Sequence, residues 1–88
     1  MTYRAEFSHR ADKDFARLDR ATQGRIRDRV RELTADPCDP RISEKLTSKG
    51  GLRKSRVGGW RIIFTLDEEK KVLSVVTIER RGQVYKRI

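Results

Sequence analysis

At 88 residues, 35% of them hydrophobic and 40% charged, the chain has the length of one domain and apolar material for one modest core. No apolar run approaches the roughly 18 residues of a membrane span, Cys38 has no second cysteine to pair with, and one His with one Cys cannot build a zinc site. The net charge of +9 is lopsided: residues 1–40 carry nine Lys/Arg against eight Asp/Glu, whereas residues 41–88 carry thirteen against five. A field this strong in half of a small domain calls for an anionic partner, of which nucleic acid is the commonest.

Tyr3, Ala5 and Phe7 alternate with Arg4 and Glu6, the period of a half-buried strand. Ser8 then stands where a helix cap belongs, and Ala11, Phe15 and Leu18 follow at spacings of four and three, one apolar stripe. Thr22 is the next cap, ahead of Ile26, Val30 and Leu33, which carry a second helix to about Ala35. The charged residues on the other helix faces, Arg29 and Glu32 among them, fit solvated pairing one turn apart. Two helices with a tight link predict a helical hairpin.

Asp36-Pro37-Cys38-Asp39-Pro40 stops the second helix, because each proline disfavours helix in the residue before it. From Arg41 to Gly51 the chain is polar, with only Ile42 and Leu46 as anchors. Leu52 to Val57 is short and basic, and Gly58-Gly59 is a turn signal. Trp60 to Leu66 is the clearest strand. Asp67 to Lys71 is a charged loop, and Val72 to Ile78 is a β-branched, mostly buried strand. Glu79 to Gly82 breaks it, leaving a basic tail from Gln83 to Ile88. The expected fold is α+β: an N-terminal strand, a helical hairpin, then about three antiparallel strands in a sheet with the two helices packed on one face. Residues 1–88 form the single domain, and the other sheet face is left open.

Lys54 and Arg56 are two apart on one strand and point to one face. The Gly58-Gly59 turn brings Arg61 back beside them. Arg80 and Arg81 close the last strand, and Tyr85 follows four residues later. Such a cluster suits RNA cleavage by the substrate's own 2′-hydroxyl. That reaction needs a base, a cationic clamp on the phosphorane and an acid for the leaving 5′-oxygen. Arg61 and Arg81 suit the clamp, because guanidinium forks match phosphate oxygens and stay charged. Tyr85 or Lys54 can move protons if nearby positive charge lowers its pKa. Trp60 is open to two readings, a stacking surface for a base or a core residue. Tyr85 is equally suited to packing the tail on the sheet. Nothing in these residues calls for a metal. His9 and Cys38 are incidental on this reading.

The ordered set resembles the RelE/ParE superfamily of bacterial toxins, and within it the RelE-like messenger RNA endonucleases. The resemblance is carried by the opening strand Tyr3 to Phe7, by Ala11 and Asp14 to Leu18, by the Asp36-Pro37 stop and by Lys45-Leu46. Its most specific parts are Ser55-Arg56-Val57-Gly58-Gly59-Trp60-Arg61-Ile62-Ile63-Phe64, Ile78-Glu79-Arg80-Arg81 and Val84-Tyr85. It implies ribosome-dependent cleavage of mRNA in the aminoacyl site, a 2′,3′-cyclic phosphate product, inhibited translation, and no metal or other cofactor. It assigns catalysis to Lys54, Arg56, Arg61, Arg81 and Tyr85; the candidate RNA-binding residues are Arg53, Trp60, Arg80, Lys86 and Arg87. Many relatives place His where this chain has Arg80, which moves proton transfer here onto Tyr85 and Lys54. The resemblance also implies a RelB-like antitoxin with an acidic or amphipathic segment. Operator DNA is then expected to be bound only through the toxin–antitoxin complex. The ribosome and mRNA are the other expected partners, with no membrane and a cytoplasmic location. Two alternatives stay open: a ParE-like inhibitor of DNA gyrase, and a relative that binds nucleic acid without cutting it.

Overall fold

The computed structural model describes residues 2–46 and 51–80. Strand β1 (Arg4–Phe7) leads into helix α1 (His9–Ala16) and helix α2 (Arg20–Ala35). Four further strands follow: β2 (Glu44–Lys45), β3 (Arg53–Val57), β4 (Trp60–Asp67) and β5 (Val72–Arg80). They form one five-stranded sheet in the order β1-β5-β4-β3-β2. The α+β class, the hairpin of helices and the antiparallel run β3-β4-β5 match the sequence expectation.

Two features of the sheet go beyond it. The two-residue strand β2 pairs antiparallel with β3 and extends the sheet by one short edge. The first strand pairs parallel with the last, Arg4 opposite Val72 and Phe7 opposite Val75, so the sheet is mixed.

The core lies between the helices and one sheet face. Ala11, Leu18, Ile26, Val30 and Leu33 from the helical side meet Val57, Ile62, Phe64, Leu73, Val75 and Ile78 from the sheet. The register shifts between Ile63 and Phe64 where β4 meets β5: Ile63 opposes Thr77, whereas Phe64 opposes Val75. Val76 is the extra residue and is exposed. Strict alternation would send Val75 and Ile78 to opposite faces; the bulge lets both reach the core.

Ser8 caps α1 through its hydroxyl, which accepts from the Ala11 backbone N–H at 3.0 Å. Helix α2 starts earlier than Thr22 suggests. Asp19 is its cap residue, and the Thr22 hydroxyl beside it holds the Asp19 carboxyl below the usual carboxylate range. At the other end Asp36 leaves helical geometry ahead of Pro37, as the sequence predicts. Gly58 takes a φ of 59°, the left-handed region that a two-residue hairpin turn requires and that glycine enters without steric cost.

Strand β1 ends before β5 does, which exposes backbone polar groups of β5 beyond Val75. Helix α1 fills in for the missing strand. The Ser8 hydroxyl donates to the Val76 carbonyl at 2.6 Å. One oxygen of Asp14 accepts from the Ile78 N–H at 3.0 Å and from the Thr77 hydroxyl at 2.8 Å. A buried N–H without a partner costs about 1–3 kcal/mol. Asp14→Ala is therefore expected to destabilise the domain by about 2 kcal/mol and lower its Tm by roughly 10–15 °C. Asp14→Asn, which keeps an acceptor oxygen, should lose less. Thermal melts followed by circular dichroism check this; an unchanged Tm for the alanine variant removes Asp14 as the tie between α1 and β5.

Candidate nucleic-acid interface

The register of the β3-β4 hairpin sorts its side chains between two faces. Ser55 opposes Ile62 and Val57 opposes Trp60; these four turn toward the helices. Lys54 opposes Ile63 and Arg56 opposes Arg61, so these turn the other way. On β5, Glu79 stands opposite Arg61. Lys54, Arg56 and Arg61 thus share the face away from the helices. That is the juxtaposition the two-residue spacing and the glycine turn predict.

This face is less open than the sequence suggests. Arg61 is 6% exposed and Ile63 is 5% exposed. The Lys54 side chain retains 16% of its exposure, with its stem beside Ile63, while Arg56 retains 53%. The three cations therefore differ in access: Arg56 offers a fork to solvent, Lys54 a half-sheltered point charge and Arg61 a recessed guanidinium. Arg56 and Arg61 stand directly opposite one another across the hairpin, with Glu79 on the other side of Arg61.

The remaining expected contacts are dispersed. Trp60 packs partly buried against the core side, and the Arg80 guanidinium lies 5.4 Å from its ring centre in a cation–π contact. The register pairs these two residues and sets them on the face opposite Arg61. Arg53 donates through Nε to the buried Ser43 hydroxyl at 2.8 Å, again away from Lys54 and Arg56. Arg81, Tyr85, Lys86 and Arg87 lie outside the described residues.

Two groups that sequence reasoning did not include reach the site from the β3 edge of the sheet. Arg29 of α2 donates through Nη1 to the Ser55 hydroxyl at 3.0 Å and to the Arg56 carbonyl at 2.7 Å. It reaches them because β2 covers only Arg53 and Lys54, leaving the rest of the β3 edge without a neighbouring strand. Its guanidinium replaces the missing backbone donor. Glu44 of β2 opposes Lys54 in register, and one of its oxygens lies 3.7 Å from Lys54 Nζ and 4.0 Å from Arg56 Nη2.

Arg29, Glu44, Lys54 and Arg56 border a cleft of about 220 Å³, completed by Pro40, Arg41, Ile42 and Ser43. Arg41 is held at its rim by a two-pronged bond to Asp39, Nε to Oδ1 at 3.2 Å and Nη2 to Oδ2 at 2.8 Å. That bond lowers the Asp39 carboxyl below its usual range and raises Arg41 above its own, so both stay charged at neutral pH. The cleft concentrates positive charge around a polar floor, a geometry that suits a phosphate group. Among the described residues no three His, Cys, Asp or Glu side chains gather as metal ligands, and no helix is long and apolar enough to cross a membrane.

Comparison with known proteins agrees on the family. The family model described as the ParE toxin of the type II toxin–antitoxin system parDE matches residues 5–85. No curated protein sequence matches the chain significantly. Among solved structures, the archaeal RelE–RelB complex from Pyrococcus horikoshii contains a chain of 25% identity and TM-score 0.81, with coverage of 94% of this chain and 99% of that one. The RelBE2 toxin–antitoxin complex from Mycobacterium tuberculosis gives 19% identity and TM-score 0.81, covering 92% of this chain and 100% of its counterpart. A YoeB/ParE toxin from Agrobacterium tumefaciens gives 16% identity and TM-score 0.76, covering 89% and 98%. The last two likenesses concern the fold alone. With the family model spanning nearly the whole sequence and this strand order beneath it, the chain belongs to the ParE toxin family of type II toxin–antitoxin systems, within the RelE/ParE superfamily.

Proposed function

We propose that the protein is a ribosome-dependent mRNA endonuclease. The observation that supports this reading is the placement of Lys54, Arg56 and Arg61 on one sheet face, away from the helices. A gyrase-directed toxin has no chemical need for such a set. In the proposed reaction the 2′-oxygen of one nucleotide attacks the adjacent phosphorus as a base removes its proton. The bond to the 5′-oxygen breaks, an acid protonates that oxygen, and a 2′,3′-cyclic phosphate remains. Arg61 and Arg56 hold the growing negative charge on the non-bridging oxygens, where a recessed guanidinium acts at low local dielectric. Lys54 is the proton-transfer candidate among the described residues. Arg81 belongs to the same clamp and Tyr85 to the same proton transfer on the strength of the family resemblance. No step needs a metal.

The proposed partners are an antitoxin and the translating ribosome in the cytoplasm. Crystal structures of the relatives pair RelE with RelB. A chain of net charge +9 gains most from an acidic segment that covers its basic face. Operator DNA would be reached through that complex.

The family description favours a second reading, inhibition of DNA gyrase, because it names ParE rather than RelE. One paired experiment separates the two. Mapping mRNA 5′ ends after induced expression should show new 5′-hydroxyl ends within translated frames, which disappear when translation is blocked. Purified protein should leave gyrase supercoiling unaffected. Gyrase inhibition without new ends would establish the second reading; salt-sensitive RNA binding with neither effect would make the protein a non-cutting binder.

A further inference from the structure

The cleft between β2, β3 and the Arg29 side of α2 holds charges of two kinds. Arg29 and Arg41 are fixed by short bonds, Arg29 to Ser55, the Arg56 carbonyl and Glu32, and Arg41 to Asp39. Lys54 and Arg56 instead meet Glu44 loosely, at 3.7 and 4.0 Å, both through the same carboxylate oxygen. That oxygen sits between an ammonium and a guanidinium, as a phosphate oxygen would. The Glu44 side chain is 60% exposed and stands on a strand of two residues. An ion pair this long and this exposed on one side contributes little and yields readily to a better anion.

We propose that in the free protein the Glu44 carboxylate occupies, between Lys54 and Arg56, the place of the RNA backbone phosphate on which those two side chains act. The inference rests on reading this face as the RNA site. Phosphate fits better than a carboxylate-bearing peptide, because the lining offers charged groups and the Ser43 hydroxyl with only Ile42 and Pro40 as apolar surface. In the free protein Glu44 spares Lys54 and Arg56 from facing each other unneutralised. When RNA arrives, its phosphate displaces Glu44 toward solvent and gains two charge-assisted contacts. Glu44 thereby sets a threshold on binding: weak anions do not open the cleft, and a polyanion does.

The test uses a fluorescent single-stranded oligonucleotide with 2′-O-methyl sugars, which binds but cannot be cut. Affinity is read by anisotropy over a range of salt. Glu44→Gln should bind about three- to tenfold more tightly at low salt, since it removes both the competing pair and the carboxylate–phosphate repulsion. Its log–log salt slope should steepen by about 0.7, because one more uncompensated positive charge in the cleft neutralises one more phosphate charge and releases the cation condensed on it. In an Arg56→Ala background the same substitution should gain little. Equal affinity for Glu44→Gln and the parent overturns the inference. So does a gain that persists in the Arg56→Ala background, which marks a net-charge effect alone. A gain confined to a poly-glutamate peptide overturns it as well, and assigns the cleft to an acidic protein segment. Because no cleavage is measured, these outcomes stand apart from the mRNA end mapping that tests the endonuclease itself.

Discussion

Replacing Arg61 by alanine is expected to lower translation-dependent mRNA cleavage by about 10²–10³-fold, the usual effect of removing one preorganised donor to a developing oxyanion. Arg61 holds the strongest position in the cluster. It is 6% exposed, it opposes Arg56 across the hairpin, and it lies in the middle of the sheet between β3 and β5. A charge held there acts on a phosphorane through less water than Arg56 does at the rim. Arg61→Lys should recover only part of the rate, because an ammonium cannot fork across two oxygens. Arg56→Ala, at a more exposed position, should lose less and serves as a variant whose fold is secure. Growth arrest and mapped mRNA ends are the readouts, with a thermal melt to establish that Arg61→Ala is folded. A folded Arg61→Ala protein that cuts at the parent rate removes Arg61 from the clamp.

The largest effect on stability is expected at Phe64. Its side chain is fully buried, it sits at the bulge where β4 shifts register against β5, and it belongs to the cluster joining both helices to the sheet. Phe64→Ala removes a large buried volume that the surrounding β-branched residues cannot collapse to fill. The cost is about 3–5 kcal/mol, against a total stability of about 5–15 kcal/mol for a domain of this size. The Tm should fall by roughly 15–30 °C. Phe64→Leu, which keeps most of the volume, should lose about a third as much. Urea and thermal melts decide it. A Tm within a few degrees of the parent would show that Phe64 is not central to the packing.

The elements with strong periodicity were legible from sequence. The stripe Ile26, Val30, Leu33 marks α2, and the apolar run within Trp60 to Leu66 marks β4. The start of α2 was misplaced because Thr22 and Asp19 are both good caps and only tertiary packing chooses between them. Strand β2 was invisible, since two residues carry no period. The parallel pairing of β1 with β5 is a property of topology that no local pattern records. At the site, the two-residue spacing and the glycine turn were enough to join Lys54, Arg56 and Arg61. The same alternation placed Trp60 and Arg80 on the opposite side of the sheet. Arg29 resembled any solvated helix charge; its position beside the buried Ile26, Val30 and Leu33 was the available signal. Glu44 gave none, because its role depends on which strand it borders.

The parallel pairing of the first strand with the last also governs when the toxin comes into being. The Ser8 hydroxyl bonds a carbonyl 68 positions further along, and the residues opposite β1 in register run from Val72 to Val75. Until β5 emerges during synthesis, β1 has no neighbouring strand, Asp14 of α1 has no β5 backbone to hold and Arg61 has no Glu79 across from it. Contacts of such long range form late and together. A polypeptide synthesised only as far as β4 therefore holds the basic hairpin without the strand that frames it on its other side.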